Sequence, residues 1–360
     1  MEYLRCAVVG LGTFGSFHAR VWSELPYTRL AAVCDRDAAR AAALGAQYGV
    51  PWYTDHRALL AQCSCEAVSV ATPDHLHRQV AVDAARAGKH VLVEKPLATS
   101  REDVNAIVQA AKQNGVRVMC DLHNRVNPPF ALARQRIAGG ELGEVRSLYM
   151  RMNDACSVAT EMLSWAKESS ILWFVGVHSL DLLCFLSGSR PRKVYAMSTR
   201  GVLDSMGVPA VDLYQTSIEM ENGTIAQMEN GWIVPDGSPA LIDMKCTVLC
   251  RRGMVKINGS DSDLLRVYSP QRMETPSCIA RPEINDRVAG FAVDNLCCFA
   301  QGLLESRPFN STLQEAADVC FAIGAIHESA RLHRPVEVQY SKVKKQILSG
   351  HFRNAVAFYR

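Results

Sequence analysis

The chain has 360 residues, 48% of them hydrophobic and 21% charged, with a net charge of +3. That length suits two domains with full apolar cores, and so small a charge argues against nucleic acid or an anionic membrane surface as partner. No apolar run reaches the roughly 18–20 residues of a membrane span, and Met1-Glu2-Tyr3 runs straight into a strand with no signal peptide, so a cytoplasmic protein is expected.

The first strand is Cys6-Ala7-Val8-Val9, followed at once by Gly10-Leu11-Gly12-Thr13-Phe14-Gly15 and a helix to about Leu25. Strand, Gly-x-Gly-x-x-Gly and helix in that order form the dinucleotide-binding fingerprint. The glycines permit a tight turn and close approach of the pyrophosphate to the helix N-terminus. Leu30–Cys34 is a second strand, and Asp35 ends it 20 residues after Gly15. A carboxylate there takes the adenosine ribose hydroxyls and repels a 2′-phosphate, which favours NAD. Arg36 beside it would accept that phosphate, so NADP stays open. The structural alternative for Asp35 is a cap for the helix that follows.

The alternation continues with a short strand at Trp52-Tyr53, a helix at His56–Gln62 and a strand at Ala67–Ala71 broken by Thr72-Pro73-Asp74. After a helix to about Ala87, Val91-Leu92-Val93 is a buried strand that ends in Glu94-Lys95-Pro96. A helix at Ser100–Gln113 and a strand at Val116–Cys120 follow. This is an α/β pattern, a doubly wound parallel sheet of Rossmann type, over residues 1–122. Its ligand crevice collects the strand ends at Gly10, Asp35, Ala71-Thr72-Pro73, Glu94-Lys95 and Asp121–Arg125. Lys95 is poised there for chemistry; alone, that stretch reads rather as a strand that stops in a charged turn with Lys95 in solvent.

Residues 123–360 change character. Val211–Met220 and Thr224–Trp232 flank Glu221-Asn222-Gly223, and Leu241–Cys250 and Met254–Ile257 flank Arg251-Arg252-Gly253, so two hairpins are expected. With helices near Phe174–Leu186, Val288–Leu304 and Leu313–Leu332, the reading is an α+β domain on a largely antiparallel sheet. Asp154–Ser170 is irregular and polar, and is expected to form a loop over the site. Thirteen scattered cysteines, mostly in apolar segments and without zinc spacing, read as reduced thiols with no metal.

Taken together, Val8–Gly15, Ala71-Thr72-Pro73 with His77, Gly88–Pro96, Gly140–Val145 and Gly176-Val177-His178-Ser179-Leu180-Asp181 resemble the glucose–fructose oxidoreductase / inositol dehydrogenase / rhizopine-catabolism (Gfo/Idh/MocA) family. The resemblance covers nearly the whole chain. It implies an N-terminal Rossmann domain and a C-terminal domain whose open sheet forms a homodimer or homotetramer. It also implies oxidation of a secondary alcohol of a sugar or cyclitol, or the reverse reduction, with NAD(P). By similarity, Lys95 lies beside the reacting carbon, hydrogen-bonds its oxygen and tunes the base, and His178 is the general acid/base. Gly10, Gly12, Thr13, Phe14, Gly15, Asp35, Arg36, Ala71, Thr72, Pro73, His77, Glu94 and Lys95 fall to the cofactor.

One departure is clear. Many members carry an aspartate where this chain has Phe174, so a proton partner is missing and one side of the pocket becomes apolar. Asp154 or Asn153 is a candidate to supply that polar group, and Asn124 a candidate to touch substrate. Trp165 and Trp173 suit either a sugar face or the core. Two other readings stay open: a cofactor-binding regulator without turnover, and an enzyme with permanently bound NAD acting on glycosides.

Overall fold

The computed structural model describes residues 3–238, 240–260, 264–271, 273–276 and 278–341; the end of the expected second domain, 342–360, lies outside the described residues. The first sheet contains β1 (Leu4–Val9), β2 (Thr28–Cys34), β3 (Trp52–Tyr53), β4 (Ala67–Val70), β5 (His90–Val93) and β6 (Val118–Cys120). Its order is β3-β2-β1-β4-β5-β6 and every pairing is parallel. Chain order reverses between β1 and β4, which is where a doubly wound sheet opens its crevice. Val91, Leu92 and Val93 are fully buried because helices cover both faces of the sheet. The covering helices are α1 (Thr13–Glu24), α2 (Ala38–Tyr48), α3 (His56–Gln62), α4 (His77–Arg86) and α5 (Arg101–Gln113).

After α6 (Pro128–Ala138) comes a mixed sheet built on β7 (Val145–Asp154). It adds β8 (Pro191–Thr199), β9 (Leu213–Met220), β10 (Ile225–Gly231), β11 (Ile242–Cys250) and β12 (Met254–Asn258). The order is β12-β11-β7-β10-β9-β8, with Val336–Glu337 at the β8 edge. Both expected hairpins form, β9 with β10 and β11 with β12. Only β7 and β10 run parallel, so the sheet is mostly antiparallel. Its inner face packs against α7 (Val177–Ser187) and, beyond the short α8 (Val202–Ser205), against α10 (Leu313–Leu332). α9 (Phe291–Leu304) returns to the first layer, where Leu296, Phe299 and Ala300 join α1 and β1 in one apolar cluster.

The segment expected as a loop over the site holds short, irregular turns at Val158–Met162 and Ala166–Glu168. The helical stretch expected near Phe174 forms, with regular α-helix from Val177. Before it, Leu172–Gly176 forms a wide turn whose hydrogen bonds span five residues. Gly176 allows the approach to β10: a Cβ there would lie 3.0 Å from Leu172 and 3.4 Å from Asn230 Oδ1. Buried Asn230 donates at 2.9 Å to both Met152 O of β7 and Ser179 Oγ of α7. That pair of bonds fixes Asp154 relative to His178.

Candidate active site

The glycine loop is formed by close contact. At Gly10 (φ +88°) a Cβ would strike the Ala71 backbone at 2.6 Å, and at Gly15 it would meet Gly10 O at 1.7 Å. Over Gly12 there is open space, with no heavy atom within 4 Å of a Cβ. No side chain caps α1 and no acidic residue sits in its first turn, so its amides at Thr13 and Phe14 remain for an anion. Asp35 Oδ2 accepts from Leu11 N at 2.7 Å and Oδ1 from Asp37 N at 2.9 Å, which holds the carboxylate beside the loop. The cap of α2 is Asp37, not Asp35. These features fit a dinucleotide with free ribose hydroxyls. Arg36 is exposed, and the cation on Asp35 is Arg40 at 3.3 Å, which the sequence reading missed.

His77 is buried with its ring nitrogens on Pro96 O (2.7 Å) and Thr72 O (2.8 Å). It therefore braces the loops after β4 and β5, and neither nitrogen is left to contact a cofactor. Asn124 is buried and its Oδ1 accepts from Asn127 Nδ2 at 3.2 Å, which ties it to the start of α6. Neighbouring Arg125 forms a forked, buried ion pair with Asp181 of α7. Asp181 is thus taken by Arg125 and does not serve His178.

Lys95, half-buried, leaves β5 and donates from Nζ to Phe174 O at 2.7 Å. The same Nζ lies 3.9 Å from the centre of the Phe174 ring. An aromatic face and a carbonyl thus hold the ammonium where a carboxylate was expected. Burial lowers the Lys95 pKa, against the opposing pull of Glu94, Asp154, Asp74 and Asp121. His178 is 5% exposed and its Nδ1 has no partner among the described residues. Burial, then the like charges of His123 and Lys95, push its pKa well down, so the ring is neutral.

Asp154 ends β7, 1% exposed, and neither carboxylate oxygen has a partner among the described residues. Burial raises its pKa to about 7, held back by the Lys95 charge and the Trp232 indole. Asn153 instead donates to Glu229 Oε1 at 2.9 Å. Phe174 packs edge-on to Trp165 and Trp232, at 6.2 and 6.1 Å, whereas Trp173 turns to His327 at 5.5 Å.

Behind Lys95 lies an ion cluster that the sequence reading also missed. Fully buried His18 of α1 places Nε2 3.2 Å from Glu94 Oε1 and 3.4 Å from Asp121 Oδ2. Burial alone would lower the His18 pKa, but the two carboxylates outweigh it and raise it to about 9. One imidazolium shared by two carboxylates accounts for the set. Glu94 Oε2 also accepts from Lys95 N at 3.2 Å. The only sequence signal was the placement of His18 one helical turn beyond Gly15.

Two family models match this chain: the oxidoreductase family with NAD-binding Rossmann fold over residues 4–122, and the GFO/IDH/MocA C-terminal domain over residues 130–256. The chain belongs to the GFO/IDH/MocA family. Its first domain is an NAD-binding Rossmann domain and the protein an oxidoreductase. UDP-N-acetylglucosamine 3-dehydrogenase of Acidithiobacillus ferrooxidans is 30% identical over 65% of this chain and 69% of its own length. The NAD-dependent scyllo-inositol 2-dehydrogenase of Bacillus subtilis is 28% identical over 71% and 75%. An uncharacterized oxidoreductase of the same bacterium, 25% identical, is matched over 65% of its length. Among solved structures, GenD2 from gentamicin A biosynthesis, in complex with NAD, superposes with a TM-score of 0.82 at 25% identity over 94% of this chain and 97% of that one. The Lactobacillus casei scyllo-inositol dehydrogenase shares the fold, with a TM-score of 0.80 at 20% identity over 94% and 99%.

Proposed function

We propose that this protein is an NAD-dependent dehydrogenase of a secondary alcohol in a sugar or cyclitol, or a reductase of the matching ketone. The observation that carries this reading is the convergence of the Lys95 ammonium, a neutral buried His178 and an unpartnered Asp154 on one crevice beside the glycine loop. The nicotinamide, when bound, supplies the hydride acceptor. Lys95 donates a hydrogen bond to the substrate oxygen and its charge keeps His178 deprotonated. His178 accepts the hydroxyl proton as the carbinol carbon gives up its hydride, leaving a ketone. Asp154 accepts hydrogen bonds from neighbouring hydroxyls, in place of the carboxylate absent at Phe174. The sugar-nucleotide and inositol dehydrogenases among the relatives support the substrate class.

A homo-oligomer fits the outer face of the second sheet, where exposed Tyr149, Met197, Ile225 and Leu249 stand among polar residues. Thirteen free cysteines support a reducing, cytoplasmic setting, and among the described residues no helix is long and apolar enough to cross a membrane.

A panel of sugars and cyclitols, assayed for NADH formation, tests the reading. Turnover of at least one is expected, reduced about 10²–10⁴-fold in Lys95→Ala and in His178→Asn. Absence of turnover with NAD and with NADP across the panel would overturn it.

A further inference from the structure

The Lys95 ammonium has three N–H donors. One is taken by Phe174 O at 2.7 Å, and the Phe174 ring, with its centre 3.9 Å from Nζ, closes a second direction. An oxygen bonded to the remaining donor lies about 2.8 Å from Nζ, and so within about 7 Å of the ring centre. A six-membered substrate ring carrying that oxygen brings a neighbouring carbon within reach of the aromatic side chain. The backbone of Phe174 is already engaged, since its N–H donates to Ser170 O at 2.9 Å and its carbonyl accepts from Lys95. What it presents to a substrate is therefore the ring. The apolar surface is wider than one residue: Trp165 and Trp232 meet Phe174 edge-on at 6.2 and 6.1 Å. Trp232 is fully buried, whereas Phe174 and Trp165 are half-buried and keep part of each side chain accessible.

We propose that Phe174 is a specificity-determining residue: with Trp165 it forms an apolar patch beside the reacting carbon and selects a ring that lacks a hydroxyl there, a deoxy sugar or deoxy cyclitol, over its fully hydroxylated parent. The inference rests on the reading of Lys95 as donor to the substrate oxygen. A hydroxyl pressed against an aromatic ring gives up its water and gains no acceptor from that ring, whereas a C–H or methyl group packs there without loss. Asp154 offers the opposite chemistry, two buried carboxylate oxygens without a partner among the described residues, for the hydroxyls that the substrate retains. The substrate is thus two-sided, polar toward Asp154 and apolar toward Phe174.

Matched pairs of inositol and hexoses against their monodeoxy analogues, assayed with NAD, test this. The readout is the ratio of kcat/KM for deoxy ring over parent within one protein, in which the folded fraction cancels. In the wild type one monodeoxy ring should exceed its parent by about 10–100-fold. Phe174→Leu keeps an apolar side chain and should keep that preference, with both rates lowered because Lys95 loses its aromatic face. Phe174→Asn supplies a donor and an acceptor and should bring the ratio close to unity or invert it. Phe174→Tyr, which retains the ring and adds one hydroxyl, should narrow the ratio in the same direction and serves if Phe174→Asn does not fold. A wild type that favours the parent in every pair, a ratio unmoved in both polar variants, or one that moves as far in Phe174→Leu would overturn the proposal. In each of those cases turnover is seen, so the dehydrogenase reading stands. If no ring of either kind is oxidised with NAD or NADP, the dehydrogenase reading falls and takes this selectivity with it.

Discussion

Asp121 and Asp154 are the same residue type at the same burial, 1% exposed, both within reach of the Lys95 charge, and their protons behave oppositely. Burial pushes Asp121 up, but His123 and His18 overwhelm it and hold the carboxyl far below the usual range. Asp154 faces only the Lys95 charge and the Trp232 indole, which do not outweigh burial, and its pKa is carried to about 7. The wall built by β5 and β6 is balanced in charge: Glu94 and Asp121 share the His18 cation, and Asp121 also meets His123 and Asn295, although His18 Nδ1 has no partner among the described residues. The wall built by β7 and the wide turn is left incomplete. Buried polar groups are normally paired, so an exception beside a lysine points to an absent partner, which in the function proposed above is the substrate.

Three experiments test that contrast. The largest effect is expected for Asp121→Asn, which leaves the His18 imidazolium short of counter-charge and should destabilise the fold by about 3–5 kcal/mol in denaturant titration. A loss within error of zero would mean that this wall is not a scaffold. Next is the pH dependence of stability. The folded-state pKa of His18 lies above its unfolded value, so its contribution is full below about pH 6.5 and is lost as pH rises through about 9. That drop is on the order of 3 kcal/mol and should vanish in His18→Gln. Third, Asp154→Asn should stabilise the protein by about 2 kcal/mol near pH 8, because an ionised, unpartnered carboxylate is removed. The raised folded pKa sets the sign: the cost of burying this group grows as pH rises from about 4 to 7, so the gain should shrink near pH 5. Turnover should fall in the same variant, and a variant neither more stable nor less active would contradict the assignment.

Much of the first wall was legible because its signals are local. Gly10–Gly15, Asp35 and Val91–Lys95 each join a strand to its own turn, and parallel pairing brings those ends together. The hairpin at Glu221-Asn222-Gly223 was legible for the same reason. What escaped depends on packing between distant segments. His18, Glu94 and Asp121 come from three elements, and Lys95 meets Phe174 across 79 positions of sequence. The wide turn at Leu172–Gly176 is helical and continuous with α7, so periodicity marked the helical stretch near Phe174 but not its wider first turn. The return of α9 to the first sheet is invisible in chain order, since its apolar face suits either layer.

The most direct measurement is the protonation of Asp154 itself, followed by carboxyl-selective infrared difference spectroscopy of the wild type against Asp154→Asn. In the unliganded protein the carboxyl band should titrate near pH 7, and a polyol that is turned over should move that midpoint downward as its hydroxyls bond the carboxylate. A midpoint in the ordinary carboxylate range of about 4, unchanged by any polyol, would contradict the claim that this group is held open for substrate.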